Sequence, residues 1–320
     1  MGFFYDLPLL WAFVLRITCK NNVGSCLLPL TQLNGFTRWV QRWYPSQTLR
    51  EDPLQDVRID GRYAPIPLAG WKFTPKMARA LLAQRSLKEL TFIQSKRLAV
   101  IIPVRDREAH LAVLIPRLID KLNEQATAFN IVVVEQESGK LWNKGAMINA
   151  GLRHAVDSCD YFCSHDVDAI PVTANYLCPS QPLRLVTKLI GSRSGLERLP
   201  RYFGGVITAQ REQVFAANGF SNHYWAWGKE DDDFLFRLLF AGYQCYSDSA
   251  GVFEDLHNPT HQQVQLHTMI KPATLRRNRK RRSLLMRGLV DPQLDGINVI
   301  TTEILRHDVG LQYQRLLVRV

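Results

Sequence analysis

The chemistry-bearing residues of this 320-residue chain fall into a few short, dense segments. His165-Asp166-Val167-Asp168 places two aspartates one residue apart directly after a short apolar run, Tyr161 to Cys163. Carboxylates at the end of a buried strand suit a hard cation such as Mn²⁺ or Mg²⁺, which would share its coordination sphere with a diphosphate and neutralise charge on a departing nucleotide. An Asp-x-Asp pair alone is a weak signal, because it recurs by chance. Phe253-Glu254-Asp255-Leu256-His257 adds candidate ligands. Asp255 and His257 share one face of an extended segment, whereas Glu254 and His257 would meet on a turn.

A different chemistry is written in Trp225-Ala226-Trp227-Gly228-Lys229-Glu230-Asp231-Asp232-Asp233, which runs into the apolar Phe234, Leu235, Phe236, Leu238 and Leu239. Tryptophan faces stack on sugar rings, carboxylates accept hydrogen bonds from sugar hydroxyls, and one carboxylate can act as general base toward an acceptor hydroxyl. An acidic first turn that caps a core helix accounts for the same residues. Pro103-Val104-Arg105-Asp106-Arg107-Glu108 offers two arginines to a phosphate or a uracil, or simply a pair of surface arginines at a helix start. In Tyr202-Phe203-Gly204-Gly205-Val206 the paired glycines admit a ligand close to the backbone, as a plain tight turn also would.

These segments need a scaffold, and the pattern from Leu98 onward supplies one. Leu98 to Pro103 is wholly apolar, as expected of a buried parallel strand. Leu111, Leu114, Ile115, Leu118, Ile119 and Leu122 have helical spacing within 110–129; Ile131 to Glu135 reads as a second strand, Asn143 to Ala155 as a helix, and Tyr161 to Cys163 as a third strand. Alternating strands and helices imply right-handed crossovers and an α/β fold with a parallel sheet. Ligands bind beyond the carboxyl ends of such strands, where the Arg105 and Asp166 segments fall. Residues 1–95 read as a separate, mainly helical N-terminal segment, with a helix over 75–90, and 96–320 as the catalytic domain.

Composition narrows the class. The chain is 46% hydrophobic and 22% charged, which excludes wholesale disorder. Its net charge of +11 favours an anionic partner. Much of that charge lies in Arg276, Arg277, Arg279, Lys280, Arg281 and Arg282. The run is read as a solvated helix face or mobile loop, or as a lid or patch for an anionic membrane surface or substrate. No zinc-finger or RNA-binding signature accompanies it, so nucleic acid is not expected. The six cysteines form no Cys-x-x-Cys pair and fit buried thiols in a reducing compartment, with a Cys163–Cys178 disulfide as the alternative. Leu7 to Leu15 is too short to span a bilayer. The expected location is therefore cytoplasmic, or peripheral on the cytoplasmic membrane face.

Taken together and in order, PVRDRE, WNKGAMINAG, HDVDAIP, RYFGGV, NGFSNHYWAWGKEDDDF and FEDLH resemble the β-1,4-galactosyltransferase family, over about Leu98 to His257. The resemblance implies a GT-A fold and Mn²⁺-dependent, inverting transfer of galactose from UDP-galactose to a glycan or glycolipid acceptor. It implies that Pro103, Arg105, Arg107, Trp142, Asn143, Lys144, Asp166, Tyr202, Gly205 and Trp227 contact the donor. Asp168, with Asp255 and His257, would hold the metal; Asp231 would be the base, and Trp225, Glu230 and Asp232 would meet the acceptor. Tyr202 matches a position associated with preference for galactose over N-acetylgalactosamine.

The sequence also departs from the family pattern. Glu254 stands where many members have methionine, Asp255-x-His257 where the xylose-acting branch has a His-x-His pair, and Lys144 where arginine is common. HDVD and Lys229 look more like the xylose-acting branch. Animal members carry a membrane anchor and stem, so the expectation here is a bacterial-type enzyme decorating lipopolysaccharide or capsule. Transfer from UDP-N-acetylgalactosamine, UDP-glucose or UDP-glucuronate, a non-catalytic carbohydrate-binding module and a metal-dependent phosphohydrolase are the rival readings.

Overall fold

The computed structural model describes residues 61–68, 71, 73, 74, 77, 81, 89–125, 127–191, 202–256, 272–299 and 302–320. Strands in chain order are β1 (Tyr63–Pro65), β2 (Phe92–Ile93), β3 (Arg97–Val104), β4 (Ala128–Gln136), β5 (Tyr161–His165), β6 (Ala169–Thr173), β7 (Cys178–Pro179), β8 (Leu183–Arg184), β9 (Lys188–Ile190), β10 (Val206–Gln210), β11 (Tyr246–Asp248), β12 (Val252–Asp255), β13 (Glu303–Val309) and β14 (Gln314–Arg319). Helices are α1 (Glu108–Glu124), α2 (Lys144–Ala155), α3 (Arg211–Ala216), α4 (Glu230–Phe240) and α5 (Pro272–Met286). The helix expected over 75–90 lies largely outside the described residues, as do 1–60.

The heart of the fold is the parallel trio β4-β3-β5, joined through α1 and α2. β3 is covered on both faces, which is why its sequence is a continuous apolar run rather than an alternating one. The two-residue period of the strand still sorts its side chains. Leu98, Val100, Ile102 and Val104 pack with Leu111, Leu114, Ile115, Leu118 and Leu122 of α1. Ala99 and Ile101 face the other way, toward Met147, Ile148 and Leu152 of α2. Helix α2 lies so close to the sheet that a Cβ on Gly151 would come within 2.5 Å of Ile101 Cγ2 and 2.9 Å of Val134 Cγ2.

Around this trio the sheet grows to nine strands, ordered β1-β11-β8-β10-β5-β3-β4-β14-β13. The additions were not expected from the sequence. β10 runs antiparallel to β5, and β14 adds parallel to β4 after a return from the far end of the chain. β1 pairs with β11, and Trp71 and Phe73 pack edge-on against Phe236, so residues before 96 help complete the main sheet and its core. A second sheet, β6-β12-β9, lies beyond the end of β5. In it Asp255 pairs with Ala169 and Glu254 with Ile170. Cys159, Cys163, Cys178 and Cys245 are buried free thiols, so the Cys163–Cys178 alternative is not realised. Among the described residues no helix is long and apolar enough to cross a membrane.

Candidate active site

The site is assembled where β5 ends. His165 is wholly buried, and burial pushes its pKa down to about 4, so the ring is neutral. Its Nδ1 donates to the Asp166 carbonyl at 2.9 Å, and its Nε2 accepts from the Tyr176 hydroxyl at 2.9 Å. The histidine of this motif thus shapes the turn that follows the strand. The Asp166 amide donates to the Gly205 carbonyl at 2.9 Å, which joins the turn to the Gly204-Gly205 segment. Asp166, Asp168, Ala169, Val186, Leu189, Tyr202, Gly205 and Asp255 line one small open cleft.

Asp168, in the turn before β6, and Asp255, at the end of β12, both line this cleft, and the Leu256 amide donates to the Asp168 carbonyl at 2.9 Å. Strand alternation sends Glu254 elsewhere, to within 3.9 Å of Arg117. His257 lies outside the described residues. Asp168 and Asp255 offer the carboxylate oxygens that a hard divalent cation takes. Among the described residues no further His, Cys, Asp or Glu completes a three-ligand cluster.

Lys144, in the first turn of α2, holds two motifs together. Its Nζ lies 2.8 Å from Asp166 Oδ1 and 3.2 Å from Asp231 Oδ1. Burial opposes its charge, but Asp166, Asp231, Tyr202 and Glu230 together hold its pKa well above the lysine range. Burial lifts Asp166 to about 6, with Lys144 opposing that shift. The Tyr202 hydroxyl donates to Asp231 Oδ2 at 3.2 Å. A Cβ on Gly204 would sit 2.2 Å from that oxygen, so only glycine lets the chain pass Asp231 this closely. Gly205 has φ +77° and would press Val186 if substituted.

The acidic run occupies the first turn of α4, where the helix dipole favours negative charge. Its four members nevertheless have separate environments. Glu230 is buried, and that burial, aided by Asp231, pushes its pKa up to about 7. Asp231 turns to Lys144 and Tyr202. Asp232 is held by Lys229 at 3.1 Å and Arg282 at 2.7 Å. Asp233 points into the core, where it pairs with Arg237 and accepts from the Tyr224 hydroxyl at 2.8 Å. The preceding loop has positive φ at Ala226, Gly228 and Lys229. It leaves Trp227 63% exposed, with Trp225 half-buried beside it.

The other expected donor contacts divide. Arg105 lies 5.6 Å over the Trp142 ring and donates to the Lys140 carbonyl. Arg107 contacts His110 Nε2 at 3.1 Å. Pro103 is buried in β3 opposite Val134. Asn143 is fully buried; its side chain caps α2 through the Ala146 amide and donates to the Asn222 carbonyl at 2.8 Å. The side chains of these last two are buried in the fold. Sequence reasoning missed Arg184, which donates to the Tyr202 carbonyl, and Asn278, which binds the carbonyls of the tryptophan loop. Neither carries a local signal, since each partner is remote in the chain.

The basic run also divides. Arg276, Arg277, Arg279 and Lys280 are exposed on α5, whereas Arg281 and Arg282 are half-buried and pair with Asp295 and Asp232. It is a helix anchored along one face, not a uniformly solvated segment.

Residues 83–179 match the N-terminal region of glycosyl transferase group 7, and residues 196–262 match the N-terminal domain of galactosyltransferase. The chain belongs to the β-1,4-galactosyltransferase family. Within this family it is similar to β-1,4-galactosyltransferase 4 of Cricetulus griseus, with 32% identity over 225 residues, 68% of this chain and 57% of that protein. It is 38% identical to the Homo sapiens β-1,4-galactosyltransferase 4 over 170 residues, 51% of this chain and 47% of that protein. The chain thus matches about half the length of these curated relatives. The fold is similar to that of Drosophila β-1,4-galactosyltransferase 7, solved as a mutant in complex with manganese, UDP-Gal and xylobiose. That likeness has a TM-score of 0.59 at 27% identity and covers 70% of this chain and 94% of the other.

Proposed function

We propose that this galactosyltransferase-family protein transfers galactose from UDP-galactose to a hydroxyl of a glycan or glycolipid acceptor, with inversion and with Mn²⁺. The observation that carries the reading is the Lys144 bridge. It joins Asp166, beside the candidate metal ligands, to Asp231, at the head of the tryptophan-flanked acidic helix. A donor-side group and a candidate base are therefore held by one cation.

Asp168 and Asp255, with His257, would hold the cation, which supplies electrostatic stabilisation of a departing UDP. Arg105, Arg107 and Trp142 would hold the diphosphate and the uracil. Tyr202 and Gly205 line the cleft itself and suit close contact with the transferred sugar. Asp231 takes the proton of the acceptor hydroxyl as that oxygen attacks the anomeric carbon from the face opposite UDP. Lys144 and Tyr202 hold the Asp231 carboxylate in one orientation for that role. Trp225 and Trp227 offer stacking faces to donor and acceptor, and Glu230 and Asp232 order sugar hydroxyls.

The fold likeness to an enzyme solved with xylobiose, together with the HDVD turn and Lys229, favours an acceptor ending in xylose or a similar β-linked sugar. We assign the chemistry to residues 96–320. The exposed Arg276, Arg277, Arg279 and Lys280 support a peripheral contact with an anionic membrane face, which co-sedimentation with anionic vesicles tests.

The deciding experiment is UDP release by purified protein from a panel of UDP-sugars, with and without Mn²⁺, using xylosides, glucosides and N-acetylglucosaminides. Mn²⁺-dependent turnover with UDP-galactose is the expected result. Turnover with another UDP-sugar reassigns the donor. No turnover and no UDP binding would leave a carbohydrate-binding module.

A further inference from the structure

The helix that carries the basic run, α5, also contacts the tryptophan loop and the acidic first turn of α4. Two of its side chains do this: Asn278 reaches the Trp225–Lys229 loop and Arg282 reaches Asp232 of α4. Asn278 is buried, and its Nδ2 lies 3.0 Å from the Trp225 carbonyl, 3.1 Å from that of Gly228 and 3.4 Å from that of Trp227. These carbonyls belong to a backbone with φ +67° at Ala226, +88° at Gly228 and +87° at Lys229. Non-glycine residues occupy that region only where surrounding contacts over-determine the conformation. Asn278 supplies such contacts from the C-terminal side, and the Trp142 carbonyl, which accepts from the Ala226 amide at 2.7 Å, supplies one from the donor side.

One turn further along α5, Arg282 donates through Nη1 to Asp232 Oδ2 at 2.7 Å. Its guanidinium lies 5.3 Å from the centre of the Trp71 ring, and Trp71 in turn packs edge-on against Phe236 of α4. Lys229 grips the same carboxylate oxygen at 3.1 Å. Two cations on one oxygen fix the carboxylate plane and leave Oδ1 for a ligand. An arginine seated on an aromatic ring has few alternative positions, so the orientation it imposes is a defined one.

We propose that Asn278 and Arg282 are positioning residues for the acceptor: Asn278 sets the tryptophan loop and Arg282, braced by Trp71, sets Asp232. The inference rests on the transferase reading above and gives Asn278 and Arg282 a role that the sequence reading of the basic run did not. It predicts a division of labour in which α5 governs acceptor binding while the Asp166–Lys144 side governs the donor.

The test compares Asn278→Ala, Arg282→Ala and Arg282→Lys with the wild type, measuring acceptor KM, donor KM, UDP affinity by calorimetry with Mn²⁺, and thermal melting. Each alanine variant is expected to raise acceptor KM about tenfold, the loss of one charge-assisted or multiply shared hydrogen bond. Donor KM and UDP affinity should stay within about twofold, the pattern of lost acceptor binding alone. Arg282→Lys keeps the charge but not the planar stack and should recover part of the loss; it also serves where Arg282→Ala fails to fold. Unchanged acceptor KM in folded variants, or donor and acceptor constants that worsen together, would overturn the proposal. Absence of UDP release by the wild type itself would instead count against the transferase reading. Acceptor-sugar binding followed by tryptophan fluorescence would then still decide the roles of Asn278 and Arg282.

Discussion

Two clusters of opposite charge flank the first turn of α4, and they differ in balance. On the cleft side three carboxylates, Asp166, Glu230 and Asp231, share Lys144. On the core side two carboxylates, Asp233 and Asp295, share the guanidinium of Arg237, and Arg281 adds a second cation at Asp295. The balanced cluster is the better satisfied: although burial still holds Asp233 above the usual carboxylate range, hydrogen bonds from Ser221 and Asn222 and the charges of Arg237 and Arg281 bring Asp295 below it. The unbalanced one is not, and Glu230 is driven to about 7. Excess negative charge costs stability but prepares a cleft to receive cations or sugar hydroxyls, whereas balanced charge locks elements together. The comparison teaches that the EDDD run is two devices in one helical turn, with Asp233 belonging to the scaffold.

The largest effect expected is on the unbalanced side. Asp231→Asn should lower kcat by about 10²–10⁴-fold, the usual contribution of a general base, while UDP affinity measured by calorimetry stays near that of the wild type. Near-normal turnover would remove Asp231 from that role. On the balanced side the cost should appear in folding. Arg237→Leu strands two buried carboxylates and should destabilise by about 3–5 kcal/mol in urea unfolding; a cost under about 1 kcal/mol would mean that Arg281 alone suffices.

A smaller, pH-linked effect sharpens the contrast. The folded value of about 7 for Glu230 lies above its ordinary 4.5, so the native state binds more protons between those pH values. Stability should therefore fall as pH rises through that window, by on the order of 1–3 kcal/mol, and Glu230→Gln should flatten the slope. A slope that persists in the variant would place its origin elsewhere. The smallest change concerns the start of α2: Asn143→Ala removes the N-cap of α2 and should cost about 1–2 kcal/mol in thermal or urea unfolding. If it instead weakens UDP binding with no loss of stability, Asn143 contacts the donor after all.

Much of this was legible in the chain. The continuous apolar runs of β3 and β4 and the helical spacing of α1 announce a buried parallel sheet, because residues with no polar alternative have only one solvent to choose. The ordered motifs announce the family, since their residue types are set by metal, phosphate and sugar chemistry rather than by packing. What α/β periodicity does not encode is the rest of the sheet. β10, β14 and the small β6-β12-β9 sheet form from short strands whose pairing partners are distant in sequence. Which of Glu254 and Asp255 lines the cleft is likewise a matter of strand register against β6.

The site shows the same boundary. Sequence by itself determined that carboxylates, tryptophans and a basic run exist at fixed spacings. Only the tertiary structure decided that one lysine joins the first two acidic motifs, that Asp233 turns inward, and that the basic helix is divided between an exposed face and the anchors Asn278, Arg281 and Arg282. The physical reason is that a charge has no meaning until its neighbours are known: desolvation and pairing, which set its protonation and orientation, come from residues tens to hundreds of positions away.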